Sequence, residues 1–280
     1  MFKNLKKIFS KKANINVIKL QGMIASGKKN LNLANTKKNI DKAFENHKTT
    51  AVVCLVNSPG GSPSQSEILA NYLLKKSQET KIPLITFIED VGASGGYWIS
   101  LVAKQIFALA NTSIVGSLGV LYSSFGLEDF IENHGIKRRI HTAGEKKVTL
   151  DMFSKENQED VERLKIMLES VHNHFKHWVI SQRKDKLNID EKDLFSGEFW
   201  IASEAKKLGL IDDVAITMED KLKELYGSNI TINYIEDKKS KLANLFLLNK
   251  VNLIEESTQN AINLIKNEIK SELFNNKYKI

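Results

Sequence analysis

Ala51–Gly61 reads AVVCLVNSPGG and Leu84–Gly96 reads LITFIEDVGASGG. Each stretch opens on a short apolar run and ends in a glycine-rich turn. Apolar runs of this length, rich in β-branched residues, suit strands buried on both faces of a parallel sheet. A helical pattern follows each turn. Ser64–Lys76 puts Ile68, Leu69, Tyr72 and Leu73 on one face, and Tyr97–Ala103 continues as an apolar helix. Working outward, Ile15–Met23 alternates as a strand, Leu33–His47 has helical spacing through Ile40 and Phe44, and Ile106–Ala110 is a further short strand. This alternation predicts an α/β fold with crossover helices. Ligands in such folds sit beyond the carboxyl ends of the strands. Both glycine turns fall there, so they open on one face and form one candidate site.

The chain has 280 residues, enough for about two domains or one large one. Its 42% hydrophobic content supports a substantial core. A single cysteine, Cys54, excludes a disulfide-stapled scaffold, and three prolines exclude Pro-rich disorder. The net charge of +8 is unevenly spread. Ten lysines precede the first acid, Asp41, whereas the 240 residues after position 40 hold 31 basic and 33 acidic groups. Residues 1–14 show no apolar run of signal-peptide length, and no stretch reaches the roughly 18 apolar residues of a membrane span. As a helix, this segment puts Phe2, Leu5, Ile8 and Phe9 on one face and lysines on much of the rest. Two readings stand for it: a solvated tail, or a reversible anchor on anionic lipid to which each near-surface lysine contributes about 1 kcal/mol. No nucleic-acid motif accompanies the lysines. The expected location is cytoplasmic, with peripheral contact at the inner face of the membrane, and Cys54 is compatible with a reducing compartment.

Ser94 sits between small residues at the start of an apolar helix, where unpaired N–H groups and the helix dipole favour an oxyanion. Gly60 and Gly61 present bare backbone to a ligand. Spacing alone equally allows a helix cap and two turns. Gly92-Ala93-Ser94-Gly95-Gly96 also differs from the Gly-x-Ser-x-Gly elbow of α/β-hydrolases. His172, His174 and His177 lie on a helical pattern over 154–182, but their spacing does not put all three on one face, and no metal site is expected. His47, His134 and His141 have no partner motif. Lys241–Ile280 has neither glycine nor proline and reads as amphipathic helix that must dock to be stable.

Four ordered motifs carry a resemblance. They are Val56–Gly61 (VNSPGG), Val91–Tyr97 (VGASGGY), Val115–Val120 (VGSLGV), and Gly197–Trp200 (GEFW) with Glu204–Asp212 (EAKKLGLID). Together they resemble the SppA/SohB family of serine peptidases, closest to its SohB branch, over roughly residues 15–215. The resemblance implies a Clp-protease/crotonase-type fold of repeated ββα units, with extra C-terminal helices. The expected division is a basic segment over 1–14, a peptidase domain over 15–233 and a helical extension over 234–280. It implies a Ser–Lys dyad acting on short, apolar or unfolded peptides such as signal-peptide remnants, with no cofactor, in a homo-oligomer. Ser94 matches the nucleophile, Ser117 the serine that orients the lysine, and Gly61 and Gly95 the oxyanion donors. Lys147 matches the base, with Lys146 where the family usually has tyrosine, so Lys146 stays open as the alternative. A lysine base must be neutral, and a free lysine has a pKa of about 10.4. Only an apolar surrounding brings that down by several units. The Lys146 departure also motivates a catalytically silent, peptide-binding ring at the membrane surface. The shared fold further admits a crotonase-like acyl-CoA enzyme, for which the Ser94 and Lys147 motifs do not call.

Overall fold

A computed structural model describes residues 12–236, apart from Glu145. Most of the basic segment over 1–14 and nearly all of the extension over 234–280 lie outside the described residues. Within them the chain forms strands β1 (Ala13–Gln21), β2 (Thr49–Ser58), β3 (Leu84–Ala93), β4 (Gln105–Ala108), β5 (Ile114–Gly116), β6 (Phe199–Ile201), β7 (Asp213–Val214) and β8 (Ile230–Tyr234). The helices are α1 (Leu33–Glu45), α2 (Pro63–Thr80), α3 (Gly95–Ser100), α4 (Glu128–Asn133), α5 (Gln158–Arg183), α6 (Glu191–Leu194), α7 (Ala202–Lys207) and α8 (Met218–Tyr226).

The strands make one sheet in the order β6-β5-β3-β2-β1-β8, with β4 joining β3 to β7. Every pairing is parallel except β5 with β6. Alternate residues of β2 supply both faces. Val52, Cys54 and Val56 join a core with Leu69, Leu73 and Tyr97, while Ala51, Val53 and Leu55 join a second core with Phe87, Phe107 and Leu222. That two-sided burial explains the unbroken apolar run at 51–56.

The helices start where side chains can take up orphan amides. Asn32 accepts from Asn35 N at 3.0 Å ahead of α1. Ser62 accepts from Gln65 N ahead of α2, which then has Pro63 in its first turn. Both are helix-entry signals.

Three features go beyond the sequence reading. The helix expected from Tyr97 starts earlier, at Gly95, and ends at Ser100, because two glycines let its first turn press against the end of β2. The stretch 199–214 contains β6 and β7 beside α7. Strands of two or three residues carry too little periodicity to register in sequence. Lastly, residues 121–157 form an arm with almost no buried side chain, in which α4 has none.

β3 is the pivot of the sheet. Its first half, Ile85–Ile88, pairs with β4, and its last residues, Val91–Ala93, pair with β5. The same edge of one strand therefore serves two partners in turn, and the gap that opens at its carboxyl end receives the site.

Candidate active site

Ser94 directly follows β3, whose last residue Ala93 is paired with Gly116, and Ser117 directly follows Gly116. The two serines thus leave adjacent parallel strands at one level. Both do so in a left-handed backbone, with φ 50° at Ser94 and φ 54° at Ser117. Such a conformation costs a residue with a Cβ about 1 kcal/mol or more, so the surroundings must impose it. Ser94 N donates to Gly116 O at 2.8 Å, and Ser117 N donates to Glu198 O at 2.7 Å. The bend puts Ser94 at the head of α3, yet its side chain makes no capping hydrogen bond to that helix. The plain reading of Ser94 as a cap does not describe it.

The Pro59-Gly60-Gly61 turn lies against this bend. A Cβ on Gly60 would stand 2.6 Å from Gly95 N and 2.8 Å from Ser94 Cβ, so only glycine permits the approach. Ile24 clamps the turn from the other side: Ile24 N donates to Gly60 O at 2.8 Å, and Ser62 N donates to Ile24 O at 2.7 Å. Among the described residues, neither Gly61 N nor Gly95 N donates a hydrogen bond. Two unused donors beside a serine in a sheltered site can hold a developing negative charge.

Gly61, Ser94, Gly95 and Ser117 line one cleft of about 620 Å³. Its walls are apolar and were not read from the sequence. Trp98, one turn beyond Ser94, stacks on Phe175 of α5 at 4.8 Å between ring centroids. Val171, Met23, Pro63 and Leu121 complete that surface. Only the i, i+4 spacing of Ser94 and Trp98 hinted at this wall. His172 Nε2 donates to Leu118 O at 2.9 Å, tying α5 to the turn that holds Ser117. His174 pairs instead with Glu67 at 3.1 Å, and among the described residues no histidine belongs to a metal-binding group.

Behind the cleft, Tyr97 OH donates to Leu210 O at 2.7 Å, and burial pushes its hydroxyl well above the usual tyrosine range. Next to Leu210, the buried Arg183 donates to Gly209 O at 2.6 Å and to Asp212 Oδ2 at 3.0 Å. Burial works to raise the Asp212 pKa. Hydrogen bonds from Lys186, Ile106 N and Arg183 outweigh it and hold the carboxyl below its ordinary value. Cys54 is buried, which pushes its thiol up to about 12 and leaves it chemically inert.

Lys146 and Lys147 stand apart. Both are exposed, and neither is among the residues lining the cleft. Lys147 N donates to Gly144 O at 3.2 Å in a turn. They lie on the exposed arm, which also displays Leu121, Tyr122, Phe125, Phe130, Ile136 and Val148 to solvent.

Residues 76–226 match the model of Peptidase family S49. A Buchnera aphidicola (subsp. Baizongia pistaciae) protein named putative protease SohB is 36% identical over 52% of this chain and 41% of its own length. A putative signal peptide peptidase SppA of Enterococcus faecium is 29% identical over 85% of this chain and 72% of its own. A Brucella abortus protein named Na(+)/H(+) antiporter NhaA is 40% identical over 81% of this chain. The match spans only 31% of that protein's length, so its name describes a chain more than twice as long as the shared part. Among solved structures, the membrane-bound stomatin-specific protease 1510-N, in a lysine-to-alanine mutant bound to a substrate peptide, superposes with a TM-score of 0.50 at 18% identity, over 84% of this chain and 97% of that one. The fold is accordingly of the Clp-protease/crotonase type.

Proposed function

The chain belongs to peptidase family S49, and from that premise we propose that it is a serine endopeptidase whose nucleophile is Ser94. The observation that carries this reading is the shared level of Ser94, Ser117, Gly61 and Gly95 around one apolar cleft. In the proposed reaction Ser94 Oγ attacks the peptide carbonyl carbon. Its proton passes to a neutral lysine Nζ, and the carbonyl oxygen becomes an oxyanion between Gly61 N and Gly95 N. Collapse of this intermediate breaks the C–N bond, and the leaving amine takes the proton from the lysine. Water then attacks the acyl-enzyme, restoring Ser94 and releasing the acid. Trp98, Phe175 and Val171 make the cleft wall apolar, which favours apolar or unfolded peptides.

We assign the base to Lys147 and propose that a second copy of the chain delivers it. Lys147 is exposed on an arm whose large apolar side chains also face solvent. Covering such an arm with another copy would bury these side chains and take the lysine out of water, a change that disfavours its ammonium form. Ser117, side by side with Ser94, is then placed to orient that lysine.

Mixing two inactive variants tests the arrangement. Ser94→Ala and Lys147→Ala should each lose hydrolysis of a fluorogenic apolar peptide. Mixed after dissociation, they should recover about a quarter of the wild-type sites, because serine and lysine come from different copies. No recovery would place the base within one copy, and an active Lys147→Ala would move it to Lys146.

A further inference from the structure

α5 borders the cleft and grips both of its sides. The contacts come from His172, Phe175 and Trp178, which follow one another at helical i, i+3 spacing and so share one face of α5. Trp178 Nε1 donates to Trp98 O at 3.1 Å, and Phe175 stacks on the Trp98 ring. These two contacts hold α3, the helix that Ser94 heads. His172 takes the other side. A carbonyl oxygen only accepts, so the ring that meets Leu118 O at 2.9 Å carries a proton on Nε2. That ring is itself seated edge-on against the buried Phe195, with centroids 6.2 Å apart.

The bond from His172 has no substitute. Among the described residues, no other hydrogen bond reaches the backbone from Leu118 to Gly126. The Leu118 side chain is fully buried. Packing of that kind fixes the residue but leaves the peptide plane after it free to turn. Just upstream, Ser117 has φ 54°, a left-handed conformation whose cost to a residue with a Cβ is of the order of one hydrogen bond. Without the donor on Leu118 O, the turn would gain by relaxing toward ordinary backbone angles. Glu198 O anchors Ser117 N on the strand side, and His172 supplies the downstream anchor. We propose that His172 is a positioning residue, which holds the turn at Ser117 level with Ser94 and so keeps the Ser117 hydroxyl where it orients the lysine. His172 is not among the residues lining the cleft, so it acts through the turn and touches no substrate. The proposal rests on the roles given above to Ser94 and Ser117.

A double-mutant cycle on hydrolysis of a fluorogenic apolar peptide by the full chain tests this, at a temperature where urea unfolding shows every variant folded. His172→Phe keeps an aromatic ring against Phe195 and removes the donor. It should lower kcat roughly ten- to a hundredfold with KM little changed. His172→Gln returns an N–H near the Nε2 position and should recover most of kcat. A purely stabilising role would neither lower kcat in folded protein nor bring it back. Because His172 acts through Ser117, adding His172→Phe to Ser117→Ala should lower kcat by no more than about twofold beyond Ser117→Ala alone. A folded His172→Phe protein with kcat within about threefold of wild type would overturn the proposal. So would no recovery in His172→Gln, or losses that multiply in the double variant. Fluorophosphonate labelling of wild type keeps the two levels apart. With Ser94 labelled, these outcomes overturn the role of His172 alone, whereas an unlabelled, inactive wild type overturns the reading of Ser94 and this proposal with it.

Discussion

Gly60→Ala perturbs the site without replacing any residue assigned a chemical role. The added Cβ would arrive 2.6 Å from Gly95 N, 2.8 Å from Ser94 Cβ and 2.9 Å from Ala93 O. Two of those atoms are backbone and the third begins the short Ser94 side chain, so no flexible side-chain end can yield. Going from 2.6 Å to the 3.4 Å of ordinary contact opens the gap between turn and serine bend by about 0.8 Å. The proposed oxyanion donors lie on opposite sides of that gap, Gly61 N on the turn and Gly95 N on the bend. A displacement near 1 Å costs about a hundredfold in rate, and loss of one oxyanion donor costs roughly a hundred- to a thousandfold in kcat. The backbone contributes further strain, because φ at Gly60 is 98° and alanine there costs about 1–2 kcal/mol. With overpacking of about 1–3 kcal/mol, the variant should lose roughly 2–5 kcal/mol of stability. Hydrolysis of a fluorogenic apolar peptide, followed beside urea unfolding at a temperature where the variant stays folded, separates the two effects. The expected result is kcat lower by about a hundredfold with KM nearly unchanged. A folded Gly60→Ala protein with kcat within threefold of wild type would refute the placement of the oxyanion between these two loops.

Other consequences follow from the polar network behind α3. Asp212→Asn should destabilise the fold by about 3–5 kcal/mol, since it leaves the guanidinium of Arg183, 1% exposed, without its counter-charge. Urea unfolding reads the change, and a loss under 1 kcal/mol would mean that Gly209 O alone satisfies Arg183. The Asp212 carboxyl is held below its ordinary value of 3.8. Its stabilising contribution is therefore complete above pH 4 and is lost as pH falls through its lower folded value. Wild type should thus lose stability across that acid window more steeply than the Asp212→Asn variant.

How much of this was legible in the sequence depends on the length over which each element repeats. β2 and β3 were plain because their apolar runs are buried on both faces, and the turns after them mark the carboxyl edge of the sheet. Motif resemblance singled out Ser117. Its position beside Ser94 is a matter of register, Ala93 opposite Gly116, and register between strands more than 20 residues apart leaves no local pattern. The cleft wall was hidden for the same reason. Trp98 reads as an ordinary apolar helix residue until α5, about 75 residues later, brings Phe175 onto it. Lys147 was found by motif alone. It lies in a turn on an exposed arm, where the local sequence Ala143-Gly144-Glu145-Lys146-Lys147 contains no large apolar residue that burial would pull into a sheet.

The central claim is that Ser94 is an activated nucleophile. Treating the full chain with a fluorophosphonate and mapping the adduct by peptide mass spectrometry tests it most directly. The account predicts one adduct, on Ser94, that is absent from Ser94→Ala and formed more slowly in Lys147→Ala. An adduct on a different residue, or none on a chain that still binds apolar peptides, would contradict it and leave a peptide-binding surface without catalysis.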